Sequence, residues 1–288
     1  MASPRSVGVI VHPPTSRDLS TILRGIRDQT HSPETVILVG KHSPRLVEEW
    51  SDDLPLHSLR HPKANPSRQF NQAMNALNTN FVVRVEDTDY WHPRYLEILI
   101  DTLLDHPNAG AATGELVSGG SLTSFQRDAW FILQHPLGTG APGLTGPDDS
   151  DPEGPLRSPV YRRDALESIG GIPEELPWAG GEELHRRLRA KNWGLLYQPE
   201  VKLYHDPPGT YLGLAHIYFR HGKGRGRLGR RGLFPSDRHQ KLDRALMLWT
   251  LGLSWNPLGW GLFLFYMMVV GMLTLDQRTR GESCLRLF

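Results

Sequence analysis

Short apolar runs alternate along this chain with stretches of helical spacing, and that alternation sets the first expectation. Val7 to Val11 is an apolar run ending in His12, Pro13 and Pro14. Thr15 and Ser16 are candidate helix caps, after which Leu19, Ile22, Leu23 and Ile26 recur at the spacing of one buried helix face. Thr35 to Val39 (TVILV) is a second β-branched run. Strand, helix and strand make a βαβ unit, because parallel neighbours need such a crossover. The pattern goes on with a short strand at His57 to Leu59, a helix at Pro66 to Leu77, a strand at Phe81 to Val85 (FVVRV), a helix at Pro93 to Asp105 and a strand at Gly110 to Leu116. An α/β fold follows, with a parallel or mixed sheet.

From Pro136 to Pro159 glycine, proline and aspartate dominate, with almost nothing to bury, so the spacing predicts a long loop there. Order returns with a strand at Val160 to Tyr161 and a helix at Arg163 to Ile169 that stops at Gly170 and Gly171. A helix at about Glu182 to Lys191 and a strand at Leu195 to His205 follow. In open parallel sheets ligands gather beyond the carboxyl ends of strands. Glu86, Asp87 and Asp89, directly after the strand at Phe81 to Val85, stand where chemistry is expected.

Beyond His205 the pattern changes. Arg220, Lys223, Arg225, Arg227, Arg230, Arg231, Arg238 and Lys241 face a single acid, Asp237, so this segment carries +7 in a chain whose net charge is only +1. Glycines alternate with these bases, which predicts a pliable neck that presents charge to phosphates or anionic lipid. No aromatic stacking pattern accompanies the bases, so nucleic acid is not expected as a partner. Ala245 to Leu275 then runs without a charge and includes Trp249, Trp255, Trp260 and Tyr266. A membrane segment is expected, because a span needs about 20 such residues and aromatic rings favour the interface. Pro257 divides it, so a kinked span or an interfacial helix with a short span suits it better than two full spans; a soluble helix hairpin is the alternative. The expected division is 1–215 for the α/β domain, 216–244 for the neck, 245–275 for the membrane segment and 276–288 for the tail. The one cysteine, Cys284, excludes a disulfide framework or cysteine zinc site within the chain. The apolar run at Val7 is shorter than the roughly 7 to 15 residues of a signal-peptide core. The domain is therefore expected on the cytosolic side of a membrane.

The order of these signals resembles the family-2 glycosyltransferases of GT-A type, a Rossmann-like mixed sheet. The stretches that carry the likeness are "QTHSPETVILV", "VEDTDYWHP", "SIGGIPEEL" and "EELHRRLRAKNWGLLYQPEVKLYH". A finer similarity, to succinoglycan-type exopolysaccharide glucosyltransferases, rests on "SFQRDAW", "HPLGTG" and "YFRHGKGRGR". The resemblance implies an inverting transfer from a nucleotide-sugar, usually a UDP-sugar, to a lipid-linked or polysaccharide acceptor, with a divalent metal, Mg²⁺ or Mn²⁺.

It also implies site residues. Carboxylates hold a hard cation against a diphosphate, so Glu86, Asp87 and Asp89, with His205, are the expected metal side. His12, Pro13, Lys41, Arg68, Asn71, Glu86, Lys223 and Arg225 are the expected contacts to the donor. The base that takes the acceptor proton is expected at Glu182, with Glu183 supporting it. This sequence departs from the family pattern at three places. Anchored on Trp91 and Pro93, the two metal-side positions fall on Glu86 and Thr88. Anchored on Leu184, Arg187 and Leu188, the usual catalytic aspartate falls on Gly181. The usual aspartate after the second strand is replaced by Gly40 and Lys41. A catalytically degenerate GT-A-like subunit that binds or scaffolds is therefore the second reading. Oligomeric state is not legible in the sequence.

Overall fold

A computed structural model of the protein describes residues 3–12, 19–40, 42–59, 65–85, 89–134, 156–174, 180–230 and 268. In chain order the elements are β1 (Val7–Val11), α1 (Leu19–Arg27), β2 (Thr35–Val39), α2 (Pro44–Trp50), β3 (Leu56–Leu59), α3 (Pro66–Ala76), β4 (Phe81–Val85), β5 (Asp89–Trp91), α4 (Tyr95–Asp105), β6 (Ala109–Ser118) and α5 (Ser124–Gln134). Then follow β7 (Val160–Arg162), α6 (Arg163–Ser168), α7 (Gly180–Ala190), β8 (Gly194–His205) and α8 (Tyr211–Arg230).

The strands form one sheet in the order β3-β2-β1-β4-β7-β6-β8-β5. β3, β2, β1 and β4 run parallel, β7 is antiparallel to both β4 and β6, and β8 returns parallel to β6. β5 closes the far edge antiparallel to β8. This is the α/β mixed sheet that the run pattern implied.

Strand alternation divides the core between the two faces. Val7, Val9 and Val11 meet α1 and α4 through Ile22, Leu23, Ile26, Leu96 and Leu99. Ile10 and Ile37 meet α3, α6 and α7 through Phe70, Met74, Leu166 and Leu184. Each such side chain, fully withdrawn from water, contributes roughly 1.5–3 kcal/mol. Two helices end where the backbone turns left-handed. Gly170 and Gly171, both with φ of 74°, end α6, as the paired glycines predicted, and Asn192, with φ of 62°, ends α7. Gly114 marks the register shift between β6 and β8. A Cβ there would lie 2.5 Å from the Val201 carbonyl, so only glycine lets the strands approach.

Two observations concern the C-terminal side. The segment expected to be a pliable neck is a continuous helix as far as Arg230, and it crosses the expected boundary between residues 215 and 216. Its first half is held by half-buried Leu214, Ile217 and Tyr218, which outweighs the glycine spacing. The compact division of the chain falls between Leu233 and Phe234. Among the described residues no helix is long and apolar enough to cross a membrane. The expected apolar segment at 245–275 lies outside the described residues, apart from Met268.

Candidate functional site

β5 and β8 are joined so that Asp89 lies directly opposite His205. Asp89 is buried, and three side chains converge on it. His205 Nδ1 lies 2.9 Å from Oδ1, Arg157 Nη2 2.9 Å from the same oxygen, and Ser158 Oγ donates to Oδ2 at 2.9 Å. Arg157 Nη2 is also 3.1 Å from His205 Nδ1. A hydrogen on Nδ1 aimed at the carboxylate satisfies the anion, and that tautomer leaves any contact of the imidazole with a ligand to Nε2. Burial by itself would raise the Asp89 carboxyl, but the Arg157 charge and the His205 hydrogen bond outweigh it and hold the group well below the usual carboxylate range.

The segment that brings Arg157 and Ser158 to this place is fixed from beneath. Thr113 Oγ1, on β6, donates to the Arg157 carbonyl at 2.6 Å, and the Tyr95 hydroxyl, at the start of α4, donates to the Ser158 carbonyl at 3.0 Å. Burial pushes the Tyr95 phenol up, so it remains a neutral donor. The Trp130 ring of α5 lies 6.3 Å from that of His205. On the flank, the Gly119 N–H donates to the His205 carbonyl at 3.3 Å, and a Cβ at Gly119 would fall 2.2 Å from the Tyr90 hydroxyl. Here a cleft of about 450 Å³ opens, lined by Thr21, Tyr90, Trp91, Gly120, Gln126 and Asp206 among others.

Of the residues expected on the metal side, Asp89 and His205 are brought together, but not as a pair of ligands. A cation reaching Asp89 would have to displace the guanidinium from Oδ1, so Asp89 does not fit as a direct ligand; it orients His205 and Arg157. Among the described residues no group of three or more histidine, cysteine, aspartate or glutamate side chains is placed to hold an ion. Glu86 and Asp87 lie outside the described residues, as do Pro13 and Lys41.

Three further candidates have partners within the protein. Asn71 is bound to the backbone: its Nδ2 donates to the Ile172 carbonyl at 2.8 Å and its Oδ1 accepts from the Ile172 N–H at 2.9 Å. It pins the chain after α6. Arg68, exposed at the start of α3, pairs with Glu174 at 3.8 Å. Glu183 is engaged by arginines of its own helix. Its side chain is 1% exposed and accepts from Arg186 at 2.7 Å on both oxygens and from Arg187 at 2.9 Å. Burial favours the neutral acid, but the two arginines prevail and hold the carboxyl low. Glu183 stabilises its own helix.

Glu182 stands in the first turn of α7 beside Gly181, where a Cβ would meet nothing within 4 Å. His12, at the carboxyl end of β1, donates Nε2–H to the Pro66 carbonyl at 3.3 Å, and its buried Nδ1 has no partner among the described residues. Burial, aided by the Arg84 charge, lowers it to about 3, so it is neutral. Lys223 is exposed on α8, the helix that also carries Arg225. Arg157 and Ser158 carried no signal in the sequence, because they stand at the end of a run with no periodicity and reach Asp89 only through the pairing of β7.

A sequence model described as Glycosyl transferase family 2 matches residues 6–169. The chain belongs to glycosyl transferase family 2. The expected family is thus confirmed. A search of curated proteins by sequence finds no match. Among solved structures the chain is similar to S. aureus TarS 1–349 in complex with UDP-GlcNAc, with 15% identity and a TM-score of 0.53 over 75% of this chain and 64% of that one. Against the longer S. aureus TarS structure the values are 16% and 0.52, over 70% of this chain and 36% of that one. The mannosyltransferase PcManGT from Pyrobaculum calidifontis, in complex with GDP-Man and Mn2+, gives 17% and 0.50 over 93% and 86%. At these identities the likeness is one of fold. The family-2 chain described here spans from about a third to under two thirds of those two TarS chains.

Proposed function

We propose that this chain transfers a sugar, with inversion, from a nucleoside-diphosphate sugar to a lipid-linked or polysaccharide acceptor at the cytosolic face of a membrane. The observation that carries the reading is the Asp89–His205–Arg157 cluster, seated at the carboxyl ends of the strands in a family-2 chain. It holds an imidazole in one tautomer beside a partly exposed cation, which suits the negative charge that grows on a departing diphosphate. The neighbouring folds bind UDP-GlcNAc or GDP-Man, and a UDP-sugar is the donor proposed here. A divalent Mg²⁺ or Mn²⁺ would be held by Glu86 and Asp87, since Asp89 is committed elsewhere. Within the proposal, His12, Pro13 and Lys41 contact the donor and Glu182 is the base. Membrane attachment runs through 245–275, and the succinoglycan-type likeness supports a polysaccharide or lipid-linked acceptor.

The test is a titration of the purified full chain with UDP and GDP, followed by turnover of UDP- and GDP-sugars with Mn²⁺ present. Saturable nucleotide binding and slow donor hydrolysis that drops about 100-fold or more in Glu182→Ala are expected. One observation favours a second reading, a degenerate binding subunit: the position of the family's usual aspartate is Gly181, and the adjacent Glu183 is locked by arginines. Nucleotide binding with no turnover, unchanged by Glu182→Ala, would decide for it.

A further inference from the structure

Three of the large apolar side chains that stand most open to solvent among the described residues are on one helix. Tyr211 is 80% exposed, Leu212 84% and Phe219 69%. Leu212 and Phe219 are seven residues apart, two helical turns on one face, and exposed Ala215 and His216 lie between them. Lys223, also exposed, comes one turn after Phe219 on that face. On the other side Leu214, Ile217 and Tyr218 are half-buried against the body of the protein. The Phe125 ring of α5 meets Tyr211 edge-on at 4.5 Å, and α5 carries a further exposed ring, Phe131. The helix continues through Arg225, Arg227 and Arg230, and no acidic residue occurs from Pro207 to Ser236.

Apolar wedges followed by cations, with no acid among them, complement a surface that is apolar beneath and anionic above. A water-exposed Leu and Phe at this level cost free energy that a covering layer removes. The cations select an anionic cover, and α8 is too polar to cross a bilayer. We infer that α8 lies flat on an anionic lipid surface, with Leu212 and Phe219 inserted between headgroups and Lys223 and the following arginines against lipid phosphates. This rests on the proposed membrane attachment, and deepens it: the contact is made by the catalytic unit's own helix, independently of residues 245–275.

The test uses the full chain with Cys284→Ser and Phe219→Cys, labelled at the new thiol with an environment-sensitive fluorophore. It is mixed with phosphatidylcholine vesicles with or without about 30% phosphatidylglycerol, and flotation is measured in parallel. A blue shift and protection from iodide on the anionic vesicles are expected, weakened about tenfold or more by Lys223→Glu with Arg227→Glu and by about 0.5 M NaCl. The same label at Leu212→Cys guards against a local fault at Phe219. A label that stays open to iodide while the chain floats with the vesicles overturns the inference and leaves membrane attachment standing. A chain that does not float overturns both. A label already shielded before vesicles are added overturns it in favour of a protein cover: a second copy if the mass doubles, the chain's own apolar segment if it does not.

Discussion

Arg157 Nη2 stands 2.9 Å from Asp89 Oδ1, and the carboxylate is fully buried whereas the guanidinium is one-third exposed. The two partners are therefore not equivalent. Removing the arginine strands a buried anion, while removing the anion leaves a cation that can turn to water. Arg157→Gln is expected to cost about 2–3 kcal/mol and Asp89→Asn about 1 kcal/mol, with the double variant recovering most of the larger loss. Urea unfolding of the three variants checks this. Equal and additive shifts would show that the pair carries no coupling.

Acid should weaken the protein well above the range of its carboxylates. Burial drives His12 and His185 to about 3, with the charges of Arg84 on both, and of Arg189 on His185, adding to the effect. In the unfolded chain each titrates near about 6.5. Between those values the unfolded state binds protons that the native state refuses. Stability from these groups is complete above about pH 6.5 and is lost as pH falls toward 3, by up to about 1.4 kcal/mol per pH unit for each histidine. Urea midpoints measured from pH 7 to pH 4 should fall steadily. His185→Gln, whose side-chain amide N–H can still donate to the Tyr161 hydroxyl oxygen that His185 Nε2 reaches at 2.9 Å, should roughly halve the slope.

Asn71 and Gly171 should behave as one unit. Asn71 satisfies both backbone groups of Ile172, and a Cβ on Gly171, whose φ is 74°, would lie 2.6 Å from Asn71 Oδ1. Asn71→Ala and Gly171→Ala are each expected to cost about 1–3 kcal/mol, and the double variant less than their sum. Thermal unfolding of the set measures it. Additive losses would mean that the side chain and the glycine act separately.

The start of α7 separates structure from chemistry. Glu183→Gln is expected to lower stability by about 1 kcal/mol through its partly exposed arginines, yet leave turnover within about twofold. Glu182→Gln should do the reverse, keeping stability and losing about 100-fold or more in kcat. Gly181→Asp should fold at least as well as the parent, since the position is open and an acid suits the first helical turn. Circular dichroism melts and initial rates on the same preparations decide the assignment. A Glu183→Gln protein that is stable but inactive would move the base to Glu183.

How far these features were legible differs with their range along the chain. β1, β2, β4 and β8 were legible because each is a dense apolar run, and α1 and α3 because their buried residues recur with helical period. α2 was hidden because only Trp50 of its residues is buried. β5 was hidden because a three-residue strand exists only by pairing with β8. The resemblance implied Asp89 and His205 on the metal side, and the structure brings them together as a hydrogen-bonded pair. It did not foresee that an arginine and a serine from the segment before β7 would occupy the carboxylate.

By itself, then, the sequence determined the kind of layered α/β sheet, the order of its elements and the family, because periodicity and run composition act locally and survive in one dimension. It also determined where charge and apolarity concentrate, since both are properties of composition. The tertiary structure decided what each candidate side chain touches. Asp89 became a buried anchor for His205 and Arg157, Glu183 a helix brace, Asn71 a clasp on Ile172, and the glycine-spaced bases part of a helix with an open apolar face. The physical reason is the same each time. Whether a polar group serves a ligand or the fold depends on partners within about 3 Å, and those partners come from elements far apart along the chain.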